Sequence, residues 1–243
     1  MPTLLWRGIN TSAVKFKRIF MSQHQHYRHL ALIAAMALFM QSLDATILNT
    51  ALPAISASLN ESPLEMQMTI ISYSLTVALF IPLTGWIADK YGTLNVFRAA
   101  VGIFVLGSVA CAMANSLNAL IWSRILQGMG GALMMPVARL TIIRNVPKTQ
   151  LVAAWNAMAM AGLIGPVLGP IVGGWLVTHA TWHWIFLINI PIGVLGILFA
   201  GRYMPNSTGK INKLDWQGFI LFAGGLAGVT LGLDLLSEDR VNP

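Results

Sequence analysis

Residues 30–53 read LALIAAMALFMQSLDATILNTALP, an apolar run with one carboxylate inside it. A run of about 20 apolar residues matches the hydrocarbon core of a bilayer, which is about 30 Å thick. Asp44 is the first acidic residue of the chain, so none precedes it in the run or before it. A carboxylate at this depth is costly and usually faces a partner or a cavity. Asp44 is therefore a candidate functional residue.

The composition of the whole chain is typical of a membrane protein. Of its 243 residues, 56% are hydrophobic and only 9% are charged, whereas a soluble domain carries about 25% charged residues. Seven apolar runs lie at about 29–53, 67–89, 95–114, 119–142, 151–176, 184–204 and 216–236. Because backbone amides in lipid must be paired within their own segment, each run predicts a helix. The sequence predicts an all-α membrane protein, with a six-helix bundle over 29–204 and a seventh transmembrane helix over 216–236.

The basic residues collect in alternate loops and so predict the orientation. One side holds Arg7, Lys15, Lys17, Arg18, Arg28, Lys90, Arg98, Arg139, Arg144, Lys148, Arg202, Lys210 and Lys213. The opposite loops hold mainly acids: Glu61, Glu65, Glu238 and Asp239. By the positive-inside rule, the N-terminus is cytoplasmic and residues 237–243 lie outside. The bases are scattered over four loops, so the net charge of +7 indicates topology and no nucleic-acid partner.

The segments outside the six-span domain are short. Residues 1–28 form a basic cytoplasmic tail, and residues 205–215 form a cytoplasmic linker. Met21 could be the true start, so we interpret residues 1–20 as either a disordered leader or an upstream extension of the gene model.

Neither a metal site nor enzymatic activity is predicted. The cluster HQHYRH (residues 24–29) resembles a metal-binding tract, but a solvated tail beside the membrane is the favoured interpretation. No span carries a His/Glu metal set or a nucleophile–base pair, and no loop is long enough to hold one.

A second intramembrane charge lies at a depth similar to that of Asp44. Asp44 comes about nine residues before the outer end of span 1, and Arg124 lies about five residues inside the outer end of span 4. At about 1.5 Å per residue, their depths differ by only a few Å. We therefore expect both to open onto one outward-facing cavity. Gln127, three residues after Arg124, shares its helix face. A purely structural pairing of helices is the alternative interpretation for each charge.

Six motifs follow one another along the chain and carry a family resemblance. They are LDATILNTALP (43–53), GWIADKYG (85–92), RILQGMGGA (124–132), GLIGPVLGPIVGG (162–174), WHWIFLINIPIG (182–193) and LDWQGFILFAGGLAGVTLGL (214–233). In this order they resemble the fourteen-span drug:proton antiporter branch of the major facilitator superfamily. The resemblance covers about residues 29–236 and implies the N-terminal six-helix bundle of that fold plus one further span.

The resemblance also implies roles for particular residues. Asp44, Arg124 and Gln127 would form the proton-coupling site. A loop of Gly85, Asp89, Lys90 and Gly92 would act as a cytoplasmic latch between the two halves of a transporter. Physically, Gly85 allows a close helix approach and Gly92 a tight turn.

Spans 5 and 6 carry the remaining motif residues. Gly165, Gly169 and Gly173 recur every four residues on span 5 and predict a closely packed face. Pro166 and Pro170 remove backbone donors and should bend or loosen that helix. The resemblance implies that this face of span 5 seals the two halves of a transporter against each other. The same motif also includes Gly162 and Gly174. The span-6 motif residues are Trp182, Trp184, Asn189 and Pro191.

These observations predict a proton-coupled multidrug efflux antiporter in a bacterial inner membrane. It would take small, drug-like substrates and protons, use the proton motive force and need no cofactor. Alternating access needs two halves, so we expect a missing C-terminal half. Two alternatives stay open: a proton-coupled exporter of a metabolite on the same scaffold, and a truncated membrane protein without transport activity.

Overall fold

The regular secondary structure is α-helical, as the sequence predicts. The structure, a computed structural model, describes the backbone of residues 4–210 and 214–241 and the side chains of residues 27–210, 214–226, 228 and 229. The helices are α1 (Leu4–Leu59), α2 (Pro63–Phe80), α3 (Leu83–Tyr91), α4 (Thr93–Ala112), α5 (Leu117–Asn145), α6 (Lys148–His179), α7 (Trp184–Leu187), α8 (Asn189–Tyr203) and α9 (Trp216–Val241).

Six of the predicted spans have counterparts among the described helices. Five stretches are long and apolar enough to cross a membrane: Tyr27–Leu59, Thr93–Ala112, Leu117–Asn145, Lys148–His179 and Trp184–Tyr203. The sixth is the pair α2 and α3, which meets the same criteria when taken together.

Span 2 is bent, although its sequence predicts one continuous helix over 67–89. The axes of α2 and α3 differ in direction by 59°. Pro82 caps the start of α3, and proline has no backbone N–H and clashes with the carbonyl four residues earlier. The apolar run hides this break because both sides of the bend are equally apolar.

The two ends of the described chain contain the predicted tail and the predicted seventh span. Helix α1 begins at Leu4, so the backbone of the predicted tail continues into span 1 as one helix. The side chains of the tail before Tyr27, including His24 and His26, lie outside the described residues. Helix α9 coincides with span 7, but its described apolar stretch is only Trp216–Leu226. The seventh span therefore stays a prediction, as does the placement of residues 237–243.

Serine caps begin two of the helices. Ser62 and Glu65 form a capping box at α2, with Pro63 in its first turn. Ser116 accepts a hydrogen bond from the backbone N–H of Ala119 at the start of α5. Such caps satisfy amides that have no partner within the helix.

The core of the bundle has two hydrophobic clusters with polar residues between them. Helix α1 runs along α6, while α5 packs on α4 and α2. One cluster includes Met40 of α1 and Phe104 of α4, and the other includes Ile47 of α1 and Cys111 of α4. Asp44 lies between Met40 and Ile47 along α1. The polar layer is therefore shielded on both sides by apolar side chains.

The glycine stripe of α6 packs against α1 within this same bundle. A Cβ at Gly165 or Gly169 would collide with the hydroxyl of Ser42 or Thr46, and Cβ atoms at Gly162 and Gly173 would lie 3.0 and 2.9 Å from Leu38 and Ile47. Within the described residues the stripe thus joins two helices of one half, and the expected seal between the halves stays a prediction. Small residues every four positions let the two axes approach closely.

The other residues of the span-5 motif are arranged differently. Gly174 lies off the contact face, since a Cβ there would meet nothing within 4 Å. Pro166 and Pro170 both lie inside α6, which continues from Lys148 to His179 as one helix.

Candidate functional site

Asp44 of α1 and Arg124 of α5 form a buried ion pair. The Nη1 atom of Arg124 lies 2.7 Å from the Oδ2 atom of Asp44. Only 1% of each residue is exposed. The structure therefore brings together the two intramembrane charges that the sequence places at similar depth.

Gln127 joins both partners of the pair. Its Nε2 donates to Oδ1 of Asp44 at 2.8 Å, and its Oε1 accepts a hydrogen bond from Nη1 of Arg124. One turn of α5 thus supplies both side chains, as their spacing of three residues predicts. The amide orientation is set by Arg124, because a guanidinium can only donate.

Asn189 and Ser108 extend the network to α8 and α4. The Nδ2 of Asn189 donates to Oδ1 of Asp44 at 3.0 Å and to Oγ of Ser108 at 3.2 Å. Gln127 Nε2 also donates to Ser108 Oγ, at 2.9 Å. Asn189 was identified from the sequence only as part of the span-6 motif, and Ser108 was not identified. The signal available in the sequence was the position of these polar residues within apolar spans, because a polar residue there usually faces a partner.

Tyr73 and Thr69 of α2 complete the surroundings of Arg124. The ring of Tyr73 lies 4.1 Å from the guanidinium carbon, and its hydroxyl accepts a hydrogen bond from Gln41 at 3.3 Å. The Nε of Arg124 donates to the backbone carbonyl of Thr69 at 3.3 Å. A cation over an aromatic face is stabilised by the ring quadrupole. Neither residue was identified from the sequence.

The network is closed, which corrects the expectation of an outward-facing cavity. Asp44, Arg124, Gln127 and Asn189 are each at most 1% exposed. A cavity of about 430 Å³ lies elsewhere, between α1 and α6 near Arg28 and Gln150, and no network residue lines it. The pairing itself explains the closure, because five helices contribute to the network and each contact draws them together.

A second ion pair joins the predicted latch loop to α5. Asp89 at the end of α3 accepts a hydrogen bond from Arg144 at the end of α5. In the sequence Arg144 is identified only as a topological charge, whereas Lys90 is placed in the latch loop with Asp89. Lys90 instead lies over the rings of Trp86 and Tyr91, 4.8 and 5.1 Å from their centroids.

The two glycines of this loop differ. Gly92 has a φ of 87°, which fits the tight turn, and a Cβ there would collide with Asn206. A Cβ at Gly85 would meet nothing within 4 Å. The close approach predicted for Gly85 is therefore absent from the described part of the chain.

The 6–7 linker, here residues 205–210, packs against the same end of the bundle. Thr93 donates its backbone N–H to Ser207, and Ser207 donates its own to the hydroxyl of Thr93, both at 3.1 Å. The side chain of Asn206 accepts from the backbone of Leu94 at 3.1 Å. The backbone N–H of Gly209 donates to the carbonyl of Asp89 at 3.2 Å. The loops that hold most of the basic residues thus meet at one end.

The span-6 motif residues do not gather at one site. Trp182 is buried and stacks on His183 at 3.7 Å, whereas Trp184 is 53% exposed. Asn189 opens α8, and Pro191 lies in its first turn. Only Asn189 reaches the buried network.

No group of three or more His, Cys, Asp and Glu side chains that could hold a metal ion occurs within the described residues. Of the histidine cluster, His29 stacks on Tyr203 with ring centroids 4.2 Å apart.

Similar proteins agree with this architecture. The Major Facilitator Superfamily model matches residues 34–215. A protein of Haemophilus influenzae named "Probable transport protein HsrA" is 71% identical over 216 residues, which is 89% of this chain and 47% of that protein. A Salmonella dublin protein named "Putative multidrug resistance protein MdtD" is 53% identical over 211 residues, 87% of this chain and 45% of that protein. The chain therefore spans about half the length of these relatives.

Solved structures show the same fold at low sequence identity. A proton:xylose symporter, XylE, matches with a TM-score of 0.68 and 14% identity over 89% of this chain and 52% of its own. A peptide transporter, POT, solved with sulfate, matches with a TM-score of 0.64 and 20% identity over 90% of this chain and 46% of its own. The family is one of multi-pass membrane transporters and not of enzymes, in agreement with the prediction from the sequence. The chain belongs to the Major Facilitator Superfamily.

Proposed function

We propose that this chain is half of a proton-coupled exporter of small, drug-like molecules and that Asp44 is its proton-binding group. The supporting observation is the buried carboxylate that contacts Arg124, Gln127 and Asn189 at 2.7, 2.8 and 3.0 Å. Of the acids whose side chains the structure describes, none besides Asp44 contacts the network.

The contacts suggest how proton binding would be linked to opening of the site. The carboxylate of Asp44 receives only donors, an arrangement that suits its charged form. A proton on Asp44 would leave Arg124 as a buried charge without its counter-ion. That cost is relieved when the helices separate and water or substrate enters.

A cationic substrate would then compete with the proton for the same carboxylate. Export follows when proton binding on one side of the membrane displaces the substrate and proton release on the other side restores the ion pair. The name of the Salmonella relative refers to multidrug resistance, which supports a drug-like substrate. We further propose the proton motive force as the energy source and no cofactor. The location would be the bacterial inner membrane, with a cytoplasmic N-terminus and a second half completing the cavity.

The test uses the full-length gene product in proteoliposomes with an imposed pH gradient. We expect proton-coupled movement of a cationic fluorescent dye that is lost in Asp44→Asn, while membrane insertion stays intact. Glu61→Gln is the matched control, because Glu61 lies in a loop outside the network and its neutralisation should leave transport unchanged.

Three outcomes would contradict parts of the proposal. Unchanged dye movement in Asp44→Asn would refute the role of Asp44. Proton-coupled flux of a metabolite without any dye movement would identify the exporter of a metabolite instead. Coupled flux from the 243-residue chain alone would show that a second half is unnecessary, whereas an inert chain is the expected result.

A further inference from the structure

Asn189 carries a buried hydrogen-bond acceptor that has no partner. The residue is 0% exposed, and its Nδ2 donates to Asp44 and Ser108. Its Oδ1 has no hydrogen-bond partner among the described residues. Buried polar atoms are almost always paired, so an unpaired one at a functional site calls for an explanation.

The contacts of Asp44 determine which of its oxygens can accept a proton. Oδ2 faces the guanidinium of Arg124, which offers donors only and cannot accept from a carboxylic acid. Oδ1 faces two amide groups, those of Gln127 and Asn189. A proton on Asp44 is therefore best placed on Oδ1, where one of these amides must supply an acceptor.

Gln127 cannot supply that acceptor without losing another contact. Its Oε1 already accepts from Arg124 and from the thiol of Cys111. Rotation of its amide would place the NH₂ group against the guanidinium, donor against donor. Asn189 has no such restriction, because its Oδ1 accepts no hydrogen bond from the described part of the chain.

We propose that Asn189 is the proton-responsive partner of Asp44. Its side-chain amide flips when Asp44 is protonated, so that Oδ1 and Nδ2 exchange positions. The inference rests on the proposed function, since it assumes that Asp44 takes up a proton. In the charged state Nδ2 of Asn189 donates to Oδ1 of Asp44. When a proton from water binds Oδ1, that hydrogen bond is lost, and the new O–H donates to Oδ1 of Asn189. Release of the proton to water reverses both changes.

The exchange preserves the number of hydrogen bonds between Asn189 and Asp44, which is one in either state. In the charged state Nδ2 of Asn189 contacts Asp44 and Oδ1 is unpaired. After the flip Oδ1 contacts Asp44 and Nδ2 is the unpaired atom, so the flip replaces one unpaired atom by another. Ser108 can follow the change, because a hydroxyl both donates and accepts. Its Oγ now donates to the carbonyl of Phe104 at 3.0 Å and accepts from Asn189.

The position of Asn189 links the proton to the backbone of span 6. Asn189 is the first residue of α8, directly after Ile188, where α7 and α8 are interrupted. Pro191 cannot donate to the carbonyl of Leu187, four residues earlier, so this part of the span lacks one helical hydrogen bond. The protonation state of Asp44 in span 1 thus acts on span 6 at the point where its helix is interrupted.

Three other titratable groups surround this site. Arg124 of α5 is the counter-ion, Tyr73 of α2 lies over the guanidinium, and Cys111 of α4 contacts Gln127. None of the three makes a hydrogen bond to Asn189. A response of Asn189 to pH therefore requires Asp44.

The test is infrared difference spectroscopy of the full-length protein between high and low pH, with ¹³C-labelled aspartate. The carboxylic-acid C=O band that is absent in Asp44→Asn identifies protonated Asp44. We expect this band to shift in Asn189→Leu, because the acid loses its acceptor, and to return towards the wild-type position in Asn189→Ser, whose hydroxyl can donate or accept. Asn95→Leu is the control, because Asn95 is an exposed asparagine of α4 whose amide donates to the carbonyl of Tyr91 at the end of α3, and it should leave the band in place.

Transport provides the second readout. Coupled proton flux should fall at least about tenfold in Asn189→Leu, as expected when a hydrogen bond to a charged group is lost, and recover partly in Asn189→Ser. An Asp44 band at the same position in Asn189→Leu as in the wild type would overturn the proposal. The spectrum needs no transport, so a band shift in a protein that moves no dye would contradict the proposed function and leave the role of Asn189 supported.

Discussion

Gly169 of α6 lies against Thr46 of α1 with no room for a side chain between them. A Cβ at Gly169 would collide with the hydroxyl of Thr46 and lie 2.7 Å from its Cβ. The same stretch of α1 carries Asp44 two residues earlier. The packing of α6 therefore sets the position of the helix that holds the carboxylate.

The first prediction concerns this contact. Gly169→Val should lower the stability of the protein by about 1–3 kcal/mol, because overpacking forces the two helices apart. The measurement is thermal unfolding in detergent. Gly174→Val is the control, since a Cβ at Gly174 meets nothing within 4 Å and both variants make the same change in helix propensity. Equal losses in the two variants would refute the close α1–α6 contact.

The second prediction tests the shape of the guanidinium. Arg124→Lys keeps the positive charge but cannot contact Asp44, Gln127 and Thr69 at once. We expect dye export to fall about tenfold, to a level between those of the wild type and Asp44→Asn. Arg139→Lys, at an exposed position of α5, should behave as the wild type. Full activity in Arg124→Lys would show that charge alone suffices.

The third prediction concerns the pair Asp89–Arg144. Its side chains are 27% and 28% exposed, and pairs of this kind contribute at most about 1 kcal/mol to stability. Asp89→Asn should therefore change the unfolding temperature little, while transport falls if this pair closes the cytoplasmic end. The exchange Asp89→Arg with Arg144→Asp should restore part of the activity. A double exchange no better than the single variants would contradict a role for the pair.

The fourth prediction concerns Gly92. Gly92→Ala should cost about 1–3 kcal/mol of stability, because alanine disfavours a φ of 87° and its Cβ would collide with Asn206. Adding Asn206→Ala should recover only part of this loss, since the backbone strain persists. Gly102→Ala, where a Cβ meets nothing within 4 Å, is the control and should not destabilise the protein. Complete recovery in the double variant would exclude backbone strain.

The fifth prediction concerns orientation. In a Cys111→Ser background, Glu61→Cys should react with a membrane-impermeant maleimide in intact spheroplasts. Lys210→Cys should react only after permeabilisation, because the basic loops are predicted to be cytoplasmic. The reverse pattern of labelling would overturn the proposed orientation.

The sequence predicted most of this architecture because apolar run length is a local property. It placed Asp44 and Arg124 at one depth by counting residues from the span ends, and the two side chains do meet. It could not anticipate the bend at Pro82, because the apolar pattern continues through it. It also missed the partners Asn189 and Arg144, which come from helices far away in the chain. Those contacts depend on how the helices are rotated, and the sequence of one span does not specify rotation.

The 6–7 linker limits where α9 can begin. Gly209 is held to Asp89 by a backbone hydrogen bond, and α9 begins seven residues later at Trp216. A fully extended chain covers about 3.5 Å per residue, so those seven residues reach no more than about 25 Å. The linker is thus a short connection, and its hydrogen-bonded end lies beside the Asp89–Arg144 pair. Helix α9 therefore begins within about 25 Å of this edge of the bundle, and any displacement of its first residue pulls first on the ends of α3 and α4.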